Sequence, residues 1–492
     1  MRTRHPLRAP IEAYQPPEMN GSESMTRLTA IAARLNPWKS ARGADPGRPR
    51  TVAAEEHGIR RSQIHPHALH IVEQLERHGH QALLVGGAVR DLLLGRTPKD
   101  FDVATSATPE QVRRLFRNAR IIGRRFRLCL LRFGDVKVEV STFRGPVPHT
   151  RAGMIHRDNS FGTPREDAFR RDFTINALML DPIRMTLIDQ VGGLEDLQAR
   201  RIRTITPPQV SFTEDPVRMM RCVRFQARLG FTLDPAALAL IPALAEGLQR
   251  VTRHRLADEM QRFLCAGNAR VTFAEFDRLG LLAPLLGLEP HAWFFDPPAL
   301  TEPLPALAPY LEALDGWTGG QQEPLPPTVT LLGLLATLAV PEFRRHLAGT
   351  LGESPRDKAL LRSLARRLPR MLGEWGLLRG QVEPAIQILE AARWLLAQQD
   401  NPRAGHRSPR LGEREAWLLI GVLRGQLGVD AGWTEAGLAR VPDLPDLPIM
   451  DHPRPLGRPQ GTLASGGDAE PHGQRKRRRG RKAGRHAAPA DA

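Results

Sequence analysis

The chain has 492 residues, which is long enough for two to four domains with cores of their own. Lys and Arg together number 70 and Asp and Glu 53, and the resulting net charge of +17 indicates a polyanionic partner, with nucleic acid as the leading candidate. The three cysteines, at 129, 222 and 265, are far apart and form no CxxC pair, which argues against a disulfide framework or zinc site and fits a reducing, cytoplasmic compartment.

The first part of the chain mixes Arg, Pro, Gly, Ser and Ala without a hydrophobic period. This composition predicts a disordered leader over residues 1–62. From Gln63 to His78 the apolar residues recur at helical spacing, and Gly79 supplies a C-terminal stop. The folded head of the protein is therefore expected to begin at residue 63 and to extend to residue 205.

A short apolar run, residues 82–85, ends at Gly86 and Gly87, and the residues that follow have helical spacing. This order predicts a strand, a glycine turn and a helix. Glycines at the start of a helix let backbone N–H groups approach a phosphate, whose charge the helix dipole favours. Taken alone, a glycine pair is equally consistent with an ordinary turn.

Two aspartates, Asp100 and Asp102, follow 13 and 15 residues after Gly87 and lead into a predicted strand. Side chains two apart along a strand share a face, so the two carboxylates converge while Phe101 enters the opposite layer. Carboxylates this close repel each other unless a divalent cation lies between them, and hard oxygen ligands suit Mg²⁺. A polar surface strand is the alternative.

The pattern Gly-Gly-x-x-Arg-Asp-x-Leu-Leu-Gly, followed by Lys-Asp-Phe-Asp, resembles the active-site opening of the class II nucleotidyltransferases. That family comprises the bacterial poly(A) polymerases and the CCA-adding tRNA nucleotidyltransferases, and the likeness extends over about residues 63–265. It implies an α+β fold: a small nucleotidyltransferase head with a mixed or antiparallel β-sheet and flanking helices, then all-α neck and body domains. It also implies that Gly86, Gly87 and Arg90 shape a triphosphate pocket.

Within residues 121–133, residues 127–132 alternate between two strand faces, and a basic cluster that includes Arg124 and Arg125 lies where nucleotide phosphates or RNA could pass. The segment resembles a signature that separates bacterial poly(A) polymerases from their CCA-adding relatives. Leu130 and Leu131 stand where that signature has His and Val. A solvated basic strand end is the alternative.

Residues 137–143 alternate between polar and apolar side chains, so Val138 and Val140 face the core and Glu139 faces the other side. If this strand adjoins the strand of Asp100 and Asp102 with that face shared, Glu139 completes a carboxylate triad. An ordinary surface glutamate is the alternative.

Turn-rich residues 145–163 predict a loop near the substrate, and residues 170–178 predict an amphipathic helix. Arg170, Arg171 and Asp172 match the second motif of the resembled family. There the arginines hold nucleotide and the aspartate belongs to the active-site constellation. Without that match the run would read as a solvated helix face.

The segment Glu214–Arg218 has acidic residues and a proline at the start of a predicted helix, within a helical neck expected over residues 206–270. In the resembled family Asp215 and Arg218 present hydrogen-bonding edges to the incoming base, in place of a nucleic-acid template. Helix capping alone also accounts for Asp215.

Residues 251–259 resemble the family's last motif, in which Arg253 and Arg255 would lie toward RNA or support the preceding helix. Helical patterns without a catalytic motif then predict an RNA-binding body over residues 271–441. The longest apolar run, residues 329–340, is too short to cross a bilayer and reads as a buried helix.

The last residues, 442–492, are rich in Pro and Gly and contain a dense basic run that includes Arg477 and Arg478. We expect a disordered tail that binds RNA phosphates, because such contacts would help a polymerase to retain its product. A nuclear localisation signal or a solubilising end has the same composition.

Together these features predict a template-independent adenylyltransferase, a poly(A) polymerase that adds AMP from ATP to RNA 3′ ends with two Mg²⁺ ions. CCA addition to tRNA is the nearest alternative, and a non-catalytic RNA-binding protein is the alternative from another class. No oligomeric state is predicted. The predicted catalytic residues are Asp100, Asp102 and Asp172; the metal ligands Asp100, Asp102 and Glu139; the nucleotide-binding residues Gly86, Gly87, Arg90, Arg171, Asp215 and Arg218; and the RNA-binding residues Arg124, Arg125, Arg253, Arg255, Arg477 and Arg478.

Overall fold

The structure is a computed structural model that describes residues 50–123, 127–134, 136–145, 161–320, 325–348, 354–398 and 412–440. Four predictions lie wholly or largely outside these residues. They concern the leader before residue 50, the basic pair Arg124 and Arg125, the turn-rich loop between residues 146 and 160, and the tail with Arg477 and Arg478.

The head is built on eight strands of one mixed sheet. They are β1 (Arg50–Val52), β2 (Ala82–Val85), β3 (Phe101–Thr105), β4 (Ala119–Ile122), β5 (Leu128–Phe133), β6 (Val136–Thr142), β7 (Met179–Asp181) and β8 (Thr186–Asp189). Their order across the sheet is β1-β8-β7-β2-β3-β6-β5-β4. Strands β3 and β6 run parallel, and every other neighbouring pair is antiparallel. The predicted α+β class with a mixed sheet is confirmed.

Short helices flank this sheet. They are α1 (Ala54–His57), α2 (Pro66–Arg77), α3 (Gly87–Leu93), α4 (Pro109–Leu115), α5 (Pro164–Phe169) and α6 (Gly193–Gln198). Helix α2 presents Ala68, Ile71, Val72 and Leu75 to the sheet, all fully buried, as its apolar spacing predicted. Helix α4 begins at Pro109 with Thr108 as its N-cap, also as predicted.

The predicted leader extended too far. Strand β1 lies within it and pairs antiparallel with β8, where Val52 is opposite Leu187 and buried. Helix α1 and a 3-10 helix, Arg61–Gln63, follow. A strand of three residues is too short to show a hydrophobic period in the sequence, so only its pairing with β8 identifies it.

The predicted helix over residues 170–178 was wrong. Helix α5 ends before it, at Phe169, and the segment instead holds a 3-10 helix, Thr174–Asn176, that leads into β7. The Asp172 carboxylate accepts hydrogen bonds from the Phe173 backbone N–H (2.8 Å) and from Asn176 Nδ2 (3.2 Å). Such local side-chain bonds compete with helical backbone bonds, and Phe173 is also engaged in a β-bridge with Thr204.

The rest of the described chain is almost entirely helical. Its helices are α7 (Pro208–Glu214), α8 (Val217–Leu229), α9 (Pro235–Leu244), α10 (Arg253–Leu264), α11 (Ala269–Arg278), α12 (Leu282–Leu286), α13 (Pro297–Thr301), α14 (Pro303–Gly320), α15 (Pro327–Leu338), α16 (Pro341–Leu347), α17 (Pro355–Glu374), α18 (Arg379–Leu396), α19 (Glu413–Leu427) and α20 (Ala431–Arg440). A parallel pair, β9 (Arg201–Ile202) and β10 (Thr232–Leu233), links the end of the head to this part.

The apolar run of the body forms α15, in which every residue from Val329 to Leu338 is buried, as predicted. None of the helices in the described ranges is long and apolar enough to cross a membrane. The described residues form one compact unit, and the boundaries expected at residues 205 and 270 remain predictions.

Candidate active site

Three acidic residues lie on one face where β3 and β6 meet. The parallel register places Asp102 opposite Glu139, and Asp100 lies two residues before Asp102 on the same face. Phe101 and Val140 are buried on the other side. The condition set for Glu139 is therefore met: its strand adjoins that of the aspartates and shares their face.

The charges of this acidic cluster act on one another. Burial and the charge of Glu139 raise the pKa of Asp102 to about 6, with a further increase from Asp100, against the opposing charges of Arg171 and Arg262. Burial also raises the pKa of Glu139. The cluster concentrates negative charge that a bound cation would relieve.

A divalent cation suits this cluster by donor type and by charge. All three donors are carboxylate oxygens, the ligands that Mg²⁺ prefers, and burial together with the charge of Glu139 raises the pKa of Asp102. As the side chains stand, no three acidic, histidine or cysteine residues in the described segments converge closely enough to hold an ion.

The glycine pair lies directly beside the cluster. Gly86 has φ +75° and ψ −140°, and α3 begins at Gly87, so the predicted order of strand, glycine turn and helix is confirmed. A Cβ atom added at Gly86 would lie 3.5 Å from Asp102 Oδ2 and 3.5 Å from Arg171 Nη1. The backbone of Gly86 is thus next to both side chains.

Arg171 is held in this place by Asp167, a residue that the sequence reasoning missed. Asp167 Oδ2 accepts hydrogen bonds from Arg171 Nε (3.0 Å) and Nη2 (2.8 Å), while Oδ1 accepts one from Arg144 Nε (2.7 Å). Burial favours the neutral acid, but the two guanidinium groups outweigh it and lower the pKa of Asp167 to about 2. The signal in the sequence is the spacing, since Asp167 stands four residues before Arg171.

Asp172 faces the neck rather than the acidic cluster. Its Oδ2 lies 2.8 Å from Arg221 Nη2 on α8, and its Oδ1 accepts the bonds from Phe173 and Asn176. Burial opposes ionisation, but Arg221 and these hydrogen bonds keep the pKa of Asp172 below its usual value. The observed contacts of Asp172 connect head and neck, and its predicted catalytic role stays a prediction.

Arg90 was predicted to help shape the nucleotide pocket, and its guanidinium is turned inward. The residue is 2% exposed; its Nε and Nη2 donate to Asp91 Oδ1 (2.9 and 2.7 Å) and its Nη1 donates to Asn176 Oδ1 (2.6 Å). Its Nη2 lies 3.4 Å from the position of a Cβ on Gly87. Arg90 therefore supports the glycine turn from beneath, and its part in shaping a triphosphate pocket stays a prediction.

Two arginines of α8, Arg221 and Arg224, lie near a buried aromatic ring and pair with acidic residues. Three guanidinium groups surround the ring of Phe225, with Arg90, Arg221 and Arg224 at 5.2, 5.9 and 4.6 Å from its centroid. Arg224 Nε lies 2.7 Å from Glu259 Oε1 on α10, and burial lowers the pKa of Arg224 to about 10. On this helix, Arg221 therefore pairs with Asp172 of the head, and Arg224 pairs with Glu259 of α10.

Asp215 occupies an extended position between α7 and α8. Its Oδ2 accepts a hydrogen bond from Arg255 Nη2 (2.5 Å), whereas its Oδ1 is buried without a hydrogen-bond partner among the described residues. Arg218 donates from Nη1 to the hydroxyl of Ser211 (3.0 Å). A buried acceptor without a donor is costly, so Asp215 is poised to accept a hydrogen bond from a ligand.

The two neck arginines predicted to bind RNA both donate hydrogen bonds within the protein. Arg255 holds Asp215, which is the supporting role that the resemblance offered as its alternative. Arg253 Nη1 donates to the carbonyl of Leu285 (2.8 Å), and burial lowers the pKa of Arg253. Both arginines thus have intramolecular acceptors, and their predicted contacts with RNA stay predictions.

Two family models match the chain. Residues 82–203 match the Poly A polymerase head domain, and residues 230–293 match the probable RNA and SrmB-binding site of polymerase A. The first range contains the glycine pair, the acidic cluster and Arg171. The resemblance seen in the motifs is therefore confirmed for the head.

Two named relatives are similar to this chain over nearly half of its length. Poly(A) polymerase I of Salmonella typhi is 46% identical over 244 residues, which cover 48% of this chain and 52% of that protein. The CCA-adding enzyme of Geobacillus kaustophilus is 39% identical over 224 residues, 45% of this chain and 54% of that protein. The chain thus spans about half the length of these relatives. The crystal structure of the Bacillus stearothermophilus CCA-adding enzyme in complex with CTP aligns at 29% identity with a TM-score of 0.47, over 77% of this chain and 82% of that one.

Proposed function

We propose that this protein is a template-independent adenylyltransferase that transfers AMP from ATP to RNA 3′ ends. The observation that carries the proposal is the parallel register of β3 and β6, which sets Asp102 opposite Glu139 beside the backbone of Gly86. The 46% identity with poly(A) polymerase I favours adenylate addition over CCA addition, for which the identity is 39%.

In the proposed reaction the RNA 3′ oxygen attacks the α-phosphorus of ATP. The new bond joins that oxygen to the α-phosphate, the bond to pyrophosphate breaks, and the hydroxyl proton leaves to solvent. Asp100, Asp102 and Glu139 would hold the divalent cations, which lower the pKa of the attacking hydroxyl and stabilise charge on the leaving pyrophosphate. Arg171, anchored by Asp167, lies where it can bind the triphosphate.

Asp215 and Arg218 would select the base. The unpaired Oδ1 of Asp215 can accept a hydrogen bond from an exocyclic amino group, and Arg218 can donate to the neighbouring ring nitrogen. Adenine and cytosine both present an amino donor beside a ring acceptor, whereas uracil and guanine present a carbonyl at that place. This pair therefore excludes UTP and GTP but leaves ATP and CTP to be distinguished by experiment.

Incubating the protein with a generic RNA, Mg²⁺ and either ATP or CTP tests the proposal. We expect a long ladder of products with ATP and none with CTP alone, read by gel electrophoresis of end-labelled RNA. Addition of two C residues and one A to a truncated tRNA, without a ladder on generic RNA, would show that the protein is a CCA-adding enzyme instead. No incorporation of either nucleotide would leave only the non-catalytic RNA-binding alternative.

Gly86→Ala is expected to reduce both stability and AMP incorporation. The backbone at Gly86 has φ +75° and ψ −140°, a conformation that costs other residues about 1–3 kcal/mol. The new methyl group would also lie between Asp102 and Arg171, 3.5 Å from each. Urea unfolding and the kcat for incorporation measure the two effects.

Gly95→Ala is the matched control for this prediction. Gly95 also has a positive φ, +70°, but a Cβ there would meet no atom within 4 Å. We expect this variant to lose stability while it keeps its rate per folded molecule. Equal losses of rate in both variants would contradict the placement of Gly86 in the site.

A further inference from the structure

A groove of about 470 Å³ lies in the helical body, between the end of α17 and the start of α18. Pro369, Leu377 and Val382 give it an apolar floor. Arg370 and Arg379 also line it, and Glu383 supplies an acidic group. The sequence motifs did not predict any site here.

Both arginines of the groove can take an anion. The Arg370 side chain is 84% exposed; its Nε donates to Glu374 Oε1 (2.7 Å), and its two Nη groups have no partner in the described part of the chain. Arg379 is exposed and forms no ion pair with any described residue. Guanidinium groups placed in this way suit a phosphate.

The groove adjoins the neck helix that leads to the acidic cluster. His254 Nδ1 donates to the carbonyl of Gly376 (3.0 Å), which ties the first turn of α10 to the chain beside Leu377. Eight residues further along α10, Arg262 is close enough to Asp102 and Glu139 to lower the pKa of both. Eight helical residues span roughly 12 Å, which is between three and four stacked nucleotides at roughly 3.4 Å each.

We propose that this groove binds one nucleotide of the RNA strand, about four or more residues upstream of the 3′ end. The base would lie on the apolar floor of Pro369, Leu377 and Val382, and its phosphate would lie between Arg370 and Arg379. This inference rests on the proposed function, because it takes RNA as the substrate.

Glu383 gives the groove a preference among bases. Its carboxylate is exposed beside Val382 and has no described partner. It can accept a hydrogen bond from the exocyclic amino group of adenine, cytosine or guanine, which uracil lacks. A product made of adenylates would therefore be held better than a uridylate strand.

The double variant Arg370→Gln/Arg379→Gln tests the groove by fluorescence anisotropy with a labelled 15-nucleotide oligo(A). We expect Kd to rise about tenfold at low salt, and the slope of log K against log salt to fall by about 1, as for the loss of one to two phosphate contacts. An oligo(A) of three nucleotides, with its 3′ end in the active site, should bind both proteins alike. Glu383→Gln should reduce the preference for oligo(A) over oligo(U).

Arg362→Gln/Arg366→Gln is the matched control. These arginines are exposed on the same helix, α17, and their loss changes the net charge by the same amount. We expect Kd within about twofold of the wild type. Equal weakening by both double variants, or by neither, would overturn the groove as a binding site.

The binding measurement is independent of catalysis, so the two proposals can fail separately. At limiting RNA, the groove variant should raise the KM for RNA in ATP incorporation, in step with its higher Kd for oligo(A). A wild-type protein that binds oligo(A) through the groove but incorporates no ATP would retain the groove and refute the adenylyltransferase. If the groove binds a protein segment instead of RNA, the double variant will keep the wild-type Kd for oligo(A). This result too would overturn the inference.

Discussion

Asp102→Asn lowers AMP incorporation by about a thousandfold or more, because the cation site loses a charged ligand at the centre of the acidic cluster. The fold should survive the change. The Asp102 carboxylate makes no hydrogen bond within the described residues, and its nearest acidic neighbours, Asp100 and Glu139, repel it. Incorporation of labelled ATP into RNA measures the loss, and thermal unfolding checks that the variant is folded.

Asp100→Asn and Glu139→Gln should each lower AMP incorporation as well. Glu195→Gln is the control, since it removes one exposed carboxylate from α6 in the same head without touching the cluster. This control should keep its activity. Retention of activity by Asp102→Asn together with Asp100→Asn would refute the assignment of these residues as metal ligands.

Asp167→Ala is expected to destabilise the protein by about 3 kcal/mol, because it leaves the partly buried guanidinium groups of Arg144 and Arg171 without their common acceptor. It should also raise the KM for ATP severalfold, since Arg171 loses its anchor beside Gly86. Urea unfolding at pH 7 and steady-state kinetics measure the two effects.

The loss of stability should depend on pH in a defined direction. The pKa of Asp167 is about 2 in the folded protein, below its ordinary value of 3.8, so the ionised carboxylate stabilises the fold. This contribution is fully present above about pH 4 and disappears as the pH falls toward 2. The difference between wild type and Asp167→Ala should therefore shrink over that range.

Asp196→Ala is the matched control for Asp167. Asp196 is fully buried in the same head and also accepts bonds from two arginines, Arg201 and Arg203 (2.7 Å each). Its loss should cost similar stability but leave the KM for ATP of the folded molecule unchanged. A raised KM in both variants would mean that the loss of stability, and not the loss of the anchor of Arg171, raises the KM for ATP.

The acidic cluster could be predicted from the sequence because each of its parts is local. A glycine pair after an apolar run, an Asp-x-Asp at a strand start and a glutamate between two buried valines all have short-range signals. Alternation along a strand then fixes the face of each carboxylate. Only the adjacency of β3 and β6 was left open, and the structure supplies it.

The features that the sequence alone could not specify depend on contacts between distant segments. Arg90 carries a family motif, but its orientation is set by Asn176, 86 residues away. Likewise, β1 exists only as the partner of β8, more than 130 residues further on. Arg253 and Arg255 look like RNA contacts in the sequence, yet their acceptors, Leu285 and Asp215, come from other elements. No local pattern specifies such pairs.

Pyrophosphate release, measured alongside RNA lengthening, tests the central claim most directly. With ATP, Mg²⁺ and an RNA that ends in a 3′ hydroxyl, one pyrophosphate should appear for each nucleotide added, and neither product should form with Asp102→Asn or with an RNA that lacks the 3′ hydroxyl. Release of pyrophosphate at the same rate from Asp102→Asn, or none from the wild-type protein, would contradict a nucleotidyltransferase centre at the acidic cluster.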